Sequence, residues 1–178
     1  MLAWALRGLA PGRGPGPRAG HSSVRRVATA GPGPGPGAGA GAGAVAPGAR
    51  FTAERAGGFR EAEVRAFVAL TGDANPLHVD DAAARRAGLP RRVVPGILVA
   101  SLFPGIIGTE LPGAVYVAQE LKFRRPVPLA APLTASVTVE RVSGSRVQFT
   151  TSCSMRAGKG AGEVVVDGKA LALLPGGV

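Results

Sequence analysis

The chain has little cysteine, little aromatic surface and little histidine for its 178 residues. Its single cysteine, Cys153, excludes an intramolecular disulfide framework and a zinc finger built on cysteine ligands. Phe, Trp and Tyr together number eight, which is few for a nucleic-acid-binding surface. The apolar run at residues 93–108 has 16 residues and two prolines, so it is too short and too interrupted to predict a membrane span.

Acidic residues are absent from residues 1–50, which contain six Arg, 13 Gly and seven Pro. Residues 51–178 contain 15 Lys and Arg against 11 Asp and Glu, so they carry only +4 of the formal net charge of +10. A mildly basic body with few aromatics disfavours the nucleic-acid binding that the charge of the whole chain suggests. We therefore predict no nucleic-acid partner and no stable membrane insertion.

The composition divides the chain into a tail, residues 1–50, and one domain, residues 51–178. Residues 31–44 read GPGPGPGAGAGAGA and have no side chain larger than proline. They cannot bury enough surface to offset their conformational entropy, so this segment is predicted to be disordered. Residues 51–178 are enough for one domain with a real core and hardly enough for two.

The first 30 residues bear arginine, serine and threonine and lack acids. This composition, with Leu2, Leu6 and Leu9 at helical spacing, is typical of a mitochondrial transit peptide. Arg7 interrupts the apolar run, which disfavours a secretory signal. The alternative is an unstructured N-terminus that carries no address. The transit-peptide interpretation predicts a mitochondrial matrix protein.

Apolar periodicity predicts three helices in the domain. Residues 61–70 repeat apolar side chains at helical spacing, and residues 80–87 form a second short helix ended by Gly88. Residues 93–108 are apolar all round, which is typical of a helix inside a core. Pro104 lies within that run, so we expect it to kink or end the helix.

After Gly113 the apolar period changes to two, which predicts strands with one buried face. A hairpin turn at residues 143–145 and a final strand at residues 163–173 complete an antiparallel sheet of at least four strands. With the apolar helix on the inner face of this sheet, the fold class is α+β. The alternating residues are Val115, Val117, Leu121 and Phe123 in the first strand, Leu133, Ala135, Val137 and Val139 in the second, and Val147, Phe149, Thr151, Cys153 and Met155 in the third.

His78 is the only histidine in the domain, and it follows Asp73 in a segment rich in turn formers. A loop of this kind can bring Asp73 and His78 to one point, where they could exchange protons near neutral pH. The alternative is structural: Asp73 caps the next helix and His78 packs on the surface.

The pattern F-x-x-L-T-G-D-x-N-P-L-H begins at Phe67 and is followed after five residues by Ala84. It resembles the signature of the MaoC-like (R)-specific enoyl-CoA hydratases. RVVPGILVASL at residues 92–102, and LPG followed by Q-x-L-x-F-x-x-P-V between residues 111 and 127, resemble later landmarks of that family. The resemblance covers nearly all of residues 51–178.

The resemblance implies a hot-dog fold, in which one antiparallel sheet wraps round a central helix, and a homodimer with sites near its interface. It implies a lyase that interconverts (3R)-hydroxyacyl thioesters and trans-2-enoyl thioesters on acyl carrier protein or CoA. With the mitochondrial-looking tail, it points to mitochondrial fatty acid synthesis. The reaction needs neither cofactor nor metal, and the sequence contains no metal-ligand cluster or nucleotide-binding loop.

The resemblance makes Asp73 and His78 the catalytic pair and the Gly96 N–H a donor to the thioester oxygen. Their division of proton transfer stays open. Asn75 either orients the pair or simply forms the turn before Pro76. The +4 charge of the body suits a phosphorylated or acidic carrier, with the arginines of residues 124–125 as candidate contacts.

Three positions depart from the family pattern. Pro95 stands where many members have histidine, Pro104 stands where some have a polar residue, and Arg60 begins a helix that Ser or Thr would cap better. These departures leave open a non-catalytic hot-dog module that binds acyl chains or a partner. A hot-dog thioesterase is a further alternative, and a nucleic-acid binder is the last.

Overall fold

The computed structural model describes residues 24–29, 45–158 and 160–175. The elements found in these ranges are, in chain order, β1 (Val24–Thr29), β2 (Arg50–Arg55), α1 (Glu61–Thr71), a 3-10 turn (Pro76–His78), α2 (Asp81–Arg86), α3 (Gly96–Ala100), α4 (Leu102–Glu110), β3 (Val115–Phe123), β4 (Leu133–Ser143), β5 (Arg146–Met155) and β6 (Val164–Leu173).

The strands form one sheet in the order β1-β2-β4-β5-β6-β3, and every neighbouring pair is antiparallel. Helix α4 packs on β2 and β4, and α3 packs on β6. Phe103, Ile106 and Ile107 of α4 are buried in the core cluster. One sheet with a central apolar helix segment on its inner face confirms the predicted α+β class.

Strands β4 and β5 alternate as the sequence predicts. All the residues predicted to face inward from these two strands are buried, including Leu133, Val137 and Phe149. They join through a tight turn in which Gly144 has a positive φ of 56°. The period-two pattern was sufficient here because each strand has a neighbour on both sides and one face on the core.

Strand β3 differs from the prediction in its first half and again at its last residue, where Phe123 was predicted to face the core but is 53% exposed. Val115 and Val117 were predicted to face the core, but they are 60% and 50% exposed. The register shifts between Tyr116 and Ala118, and this bulge moves the alternation by one residue. Tyr116 therefore packs against the core instead, and its burial raises the pKa of its hydroxyl to about 12.

The apolar run forms two helices with a break at Ser101, which is both the last cap of α3 and the first cap of α4. Pro104 lacks the N–H that would bond to the Ala100 carbonyl, so the helical hydrogen-bond pattern is interrupted at this point. The predicted interruption is confirmed. Within the described residues, no helix is long and apolar enough to cross a membrane.

Helix α1 begins without a capping side chain on Arg60, as the sequence indicates. Glu63 compensates in part, because its Oε2 accepts the Arg60 backbone N–H at 2.8 Å. The helix ends at Gly72, whose φ of 71° lies in the left-handed region that favours glycine. The chain can therefore turn sharply into the segment that carries Asp73.

The described domain begins earlier than residue 51. Val45 is buried in the core, β2 starts at Arg50, and β1 pairs with β2 from within the segment predicted to be a tail. The predicted disordered stretch at residues 31–44 and the first 23 residues of the predicted transit peptide lie outside the described residues.

Candidate active site

Side-chain to backbone hydrogen bonds shape the loop that follows α1. Asp73 Oδ1 accepts the N–H of Asn75 at 3.0 Å, and Asn75 Oδ1 accepts the N–H of Leu77 at 3.1 Å. Two such turns in succession reverse the chain direction. The 3-10 turn that begins at Pro76 then carries His78 back toward Asp73.

Asp73 and His78 meet across this loop. The distance from His78 Nε2 to Asp73 Oδ2 is 3.5 Å, and the two side chains are 11% and 33% exposed respectively. Asp73 does not cap α2; Asp80 does so, accepting the N–H of Ala82 at 2.7 Å. Within the described ranges, no three potential metal-ligating side chains gather here or elsewhere.

A backbone carbonyl orients the His78 ring. His78 Nδ1 lies 2.8 Å from the carbonyl oxygen of Val93. Because a carbonyl can only accept, Nδ1 carries the hydrogen, which leaves Nε2, on the side of Asp73, as the nitrogen available for proton transfer. Val93 also donates its N–H to the Leu77 carbonyl at 3.1 Å. Nothing in the sequence indicates this role of Val93, because a backbone carbonyl has no side-chain signature.

Two of the predicted site residues line the same cavity, which has a volume of about 380 Å³. His78 and Gly96 both line it, so the structure brings the imidazole and the first amide of α3 to one space. That amide has no acceptor within its own helix. The rest of the lining is mostly apolar, with two arginines: Val93, Val94, Ile97, Val99, Phe123, Arg124, Arg125, Pro126, Val127 and Val166.

The Phe123 ring covers Gly96. A Cβ built on Gly96 would lie 2.7 Å from Cδ1 and Cε1 of that ring, closer than carbon atoms can approach. Glycine at this position therefore permits a close contact with Phe123. The ring thus forms an aromatic wall of the cavity beside the Gly96 amide.

The predicted carrier contacts Arg124 and Arg125 also line the cavity, whereas Asp73, Asn75 and the two prolines are not among its described lining residues. The Asn75 side chain caps the 3-10 turn. Of the two roles considered for Asn75, orienting the pair or forming the turn, its side chain has the second. Pro95 is buried and precedes α3, and Pro104 is exposed on α4. Neither proline is among the described residues that line the cavity.

Arg92 ties the loop to two helices and was not singled out by the sequence analysis. Its guanidinium reaches Glu61 Oε1 at 3.1 Å and the Val79 carbonyl at 3.4 Å, and its N–H is bound by Asp81 at 2.8 Å. These hydrogen bonds hold the pKa of both carboxyls below their ordinary values. Because Arg92 immediately precedes Val93, these hydrogen bonds also hold in place the segment whose carbonyl orients His78.

The family described as "MaoC like domain" matches residues 43–163. The chain belongs to the MaoC-like domain family. A mitochondrial 3-hydroxyacyl-[acyl-carrier-protein] dehydratase of Solanum lycopersicum is 41% identical over 66% of this chain and 71% of its own length. An (R)-specific enoyl-CoA hydratase of Aeromonas caviae is 40% identical over 66% of this chain and 87% of its own length.

Solved structures resemble this MaoC-like domain over most of its length. The (R)-hydratase from A. caviae has a TM-score of 0.68 and 36% identity, covering 75% of this chain and 100% of that chain. An R-hydratase from Pseudomonas aeruginosa has a TM-score of 0.65 and 30% identity, covering 73% of this chain and 82% of that chain. These findings confirm the predicted hot-dog fold and the hydratase/dehydratase class.

Proposed function

We propose that this MaoC-like protein interconverts (3R)-hydroxyacyl thioesters and trans-2-enoyl thioesters, with Asp73 and His78 as its catalytic pair. One observation carries the proposal: His78 and Gly96 line the same cavity, while Asp73 lies 3.5 Å from the His78 ring. A base, a second proton-handling group and an amide donor are the groups that reversible addition of water needs.

In the dehydration direction, His78 Nε2 takes the proton from C2 of the acyl chain. The electron pair of the C–H bond moves first toward the thioester oxygen and then forms the C2–C3 double bond as the C3–O bond breaks. Asp73 accepts a hydrogen bond from the C3 hydroxyl. The proton held by His78 passes to the departing hydroxide, so water leaves and both side chains regain their starting charge.

The Gly96 amide assists by opposing the negative charge that builds on the thioester oxygen. Its N–H is unused within α3, and the carbonyl of the substrate would take the place of the missing acceptor. Asn75 acts indirectly in this scheme. Its backbone N–H binds Asp73 Oδ1, which holds that carboxylate in position while the side chain caps the following turn.

We assign the reaction to mitochondrial fatty acid synthesis in the matrix, with acyl carrier protein as the carrier. The support is the name of the tomato relative and of a mitochondrial dehydratase of Arabidopsis thaliana that is 39% identical over 66% of this chain. The arginine-bearing, acid-free N-terminus agrees with this location. CoA is the alternative carrier, because the bacterial relatives are named as enoyl-CoA hydratases.

We propose further that the protein is a homodimer joined along β3. This strand is an edge of the sheet, so one side of its backbone has no partner strand among the described elements. Its exposed apolar residues, Val115 and Val117, would be covered by antiparallel pairing with the same strand of a second copy, a self-complementary arrangement. Val117→Glu should yield monomers by size-exclusion chromatography with light scattering, whereas Leu70→Glu on α1 should not.

The decisive experiment is hydration of a trans-2-enoyl thioester by the purified full-length chain. Asp73→Asn and His78→Ala should each reduce kcat by at least about a hundredfold, the usual contribution of general acid–base catalysis. Asp80→Asn is the matched control, because it removes a nearby carboxylate while asparagine can still cap α2.

Unchanged rates in the Asp73 and His78 variants would refute the catalytic pair. A wild-type protein that binds the thioester without turnover would favour the acyl-binding module instead. Release of free thiol in place of hydration would identify a thioesterase.

A further inference from the structure

A second cavity lies at the end of the hairpin that joins β4 and β5, and it has a volume of about 220 Å³. It shares no described lining residue with the cavity that contains His78. Its lining is mostly polar, in contrast to the first cavity, and consists of Arg141, Ser143, Arg146, Gln148 and Leu171. The proposed hydration reaction uses none of these side chains.

A bulge in β4 turns Arg141 toward the outer face of the sheet. Every second residue from Leu133 to Val139 is buried, and continued alternation would place Arg141 on the same inner face. The register shifts between Val139 and Arg141, so Val142 packs against the core and Arg141 is exposed. The extra residue therefore moves an arginine from the core side to the side of the second cavity.

The strand register brings the polar side chains of this cavity together. Ser143 lies opposite Arg146, and Arg141 lies opposite Gln148. Gln148 in turn lies opposite Leu171 of β6. Residues directly opposite each other on one face of a sheet have Cβ atoms about 5 Å apart. Two guanidiniums, a hydroxyl and an amide thus converge on one space.

Neither arginine of this cavity forms an ion pair or side-chain hydrogen bond within the described parts of the chain. The carboxylate of Glu140, which precedes Arg141, is bound by Lys169 at 2.9 Å. Arg92 and Arg156, by contrast, each bind a carboxylate. Two neighbouring cations without a counter-ion repel each other, and a bound anion would remove this cost.

We propose that this second cavity binds the phosphate group of a small anion. A carboxylate has two oxygens, which one guanidinium fork can satisfy. A phosphate group offers more oxygens and a second charge, so it can use both guanidiniums together with the Ser143 hydroxyl and the Gln148 amide. The volume is about seven times the share of one water molecule in the liquid. A phosphate ester therefore also fits, with its organic group on Leu171.

The test is a titration of the full-length chain with inorganic phosphate at pH 8, followed by NMR of the backbone amides. Sodium chloride keeps the ionic strength constant, so that general screening does not change. The amides of residues 141–148 should shift along one saturable curve. Arg141→Ala/Arg146→Ala should raise the Kd measured at these amides at least about tenfold, in keeping with the loss of charge-assisted hydrogen bonds.

Two variants separate a built site from a general attraction to positive charge. Arg85→Ala/Arg86→Ala removes the same charge from exposed positions on α2 and should leave the Kd unchanged. Arg141→Lys/Arg146→Lys keeps the charge but lacks the planar fork, so it should still weaken binding severalfold.

A third variant fills the site from within the chain. Ser143→Asp places a carboxylate opposite Arg146, where it competes with phosphate while both arginines remain. It should raise the Kd for phosphate and the melting temperature together. This combination cannot come from poor folding, so the variant is informative even where the double alanine variant is unstable.

Phenyl phosphate identifies the source of the phosphate group. A lower Kd than that of inorganic phosphate indicates an ester whose apolar part packs on Leu171, and an equal Kd indicates free phosphate. A linear, non-saturating response of residues 141–148 in wild type would overturn the proposal. Equal weakening in the α2 control would do the same, as would phosphate-induced shifts confined to the residues around His78.

Discussion

The Phe123 ring occupies the space where a side chain on Gly96 would lie. Cδ1 and Cε1 of the ring are 2.7 Å from the position of a Cβ on Gly96, although the two residues are far apart in the chain. Phe123 comes from the edge strand β3, and Gly96 opens α3. Their contact therefore joins the sheet edge to the amide proposed to bind the thioester oxygen.

Gly96→Ala should force the ring away and disturb the amide, lowering kcat/KM by about tenfold to a hundredfold, since small displacements of reacting groups are costly. Phe123 is 53% exposed, so the ring can move and the melting temperature should change little. In a Phe123→Ala background the same Gly96→Ala change should cost much less. Steady-state kinetics on the four proteins of this cycle measure the coupling. An additive result would show that the added methyl blocks the substrate directly.

Arg92→Ala should make the stability of the folded protein depend less on pH in the acid range. The Arg92 guanidinium lowers the pKa of Glu61 from its ordinary value of 4.5. Alanine keeps the backbone N–H that chiefly lowers the pKa of Asp81, so the loss in this variant comes mainly from Glu61. A lowered folded-state pKa gives stability that is present above the ordinary value and is lost as pH falls through the folded value. The melting temperatures of wild type and Arg92→Ala should thus differ at pH 7 and converge as the pH falls below the ordinary value of 4.5 and through the lowered folded-state pKa of Glu61.

The control for this prediction is Arg156→Ala, which removes an arginine that binds Glu54 at 2.7 Å on the sheet. Its hydration activity should equal that of wild type. Arg92→Ala should reduce kcat even where the protein is folded, because the adjacent Val93 carbonyl orients His78. A constant difference in melting temperature across the pH range would contradict the role assigned to Arg92.

Gly168→Ala should separate β3 from β6. A Cβ on Gly168 would lie 1.8 Å from the Glu120 carbonyl oxygen, a backbone atom that cannot rotate away. We expect a loss of roughly 3 kcal/mol in the free energy of unfolding, measured with urea, as in other overpacked sites. Gly105→Ala is the contrast, because the space near Gly105 in α4 is open. It should be neutral or stabilise by up to ~1 kcal/mol through helix propensity.

Cys153 should report unfolding through its thiol. It is fully buried on β5, and burial raises the pKa of the thiol to about 12, so the reactive thiolate is scarce at pH 8. A thiol-reactive disulfide reagent should label native protein slowly, at a rate that follows opening of the core, and should label one equivalent after denaturation. Rapid stoichiometric labelling of folded protein would contradict this burial.

The sequence predicted the elements that depend on local patterns. Period two located β3, β4 and β5 because one face of each strand meets water, and turn residues such as Gly144 marked the connections. Pro104 predicted the helix break because a missing N–H is a property of the residue alone. The bulge in β3 was missed, since an extra residue in one strand leaves composition and spacing unchanged.

For the candidate site, one motif contains Asp73 and His78 and a second contains Gly96, but only the fold brings these residues together. Residue identity and spacing were enough to predict a carboxylate, one domain histidine and a helix-opening glycine as site residues. Tertiary structure alone decided that Val93 orients the imidazole, that Phe123 covers Gly96, and that Arg92 holds the loop against two helices. Contacts through backbone atoms and between residues distant along the chain depend on packing in three dimensions, which local residue patterns do not encode.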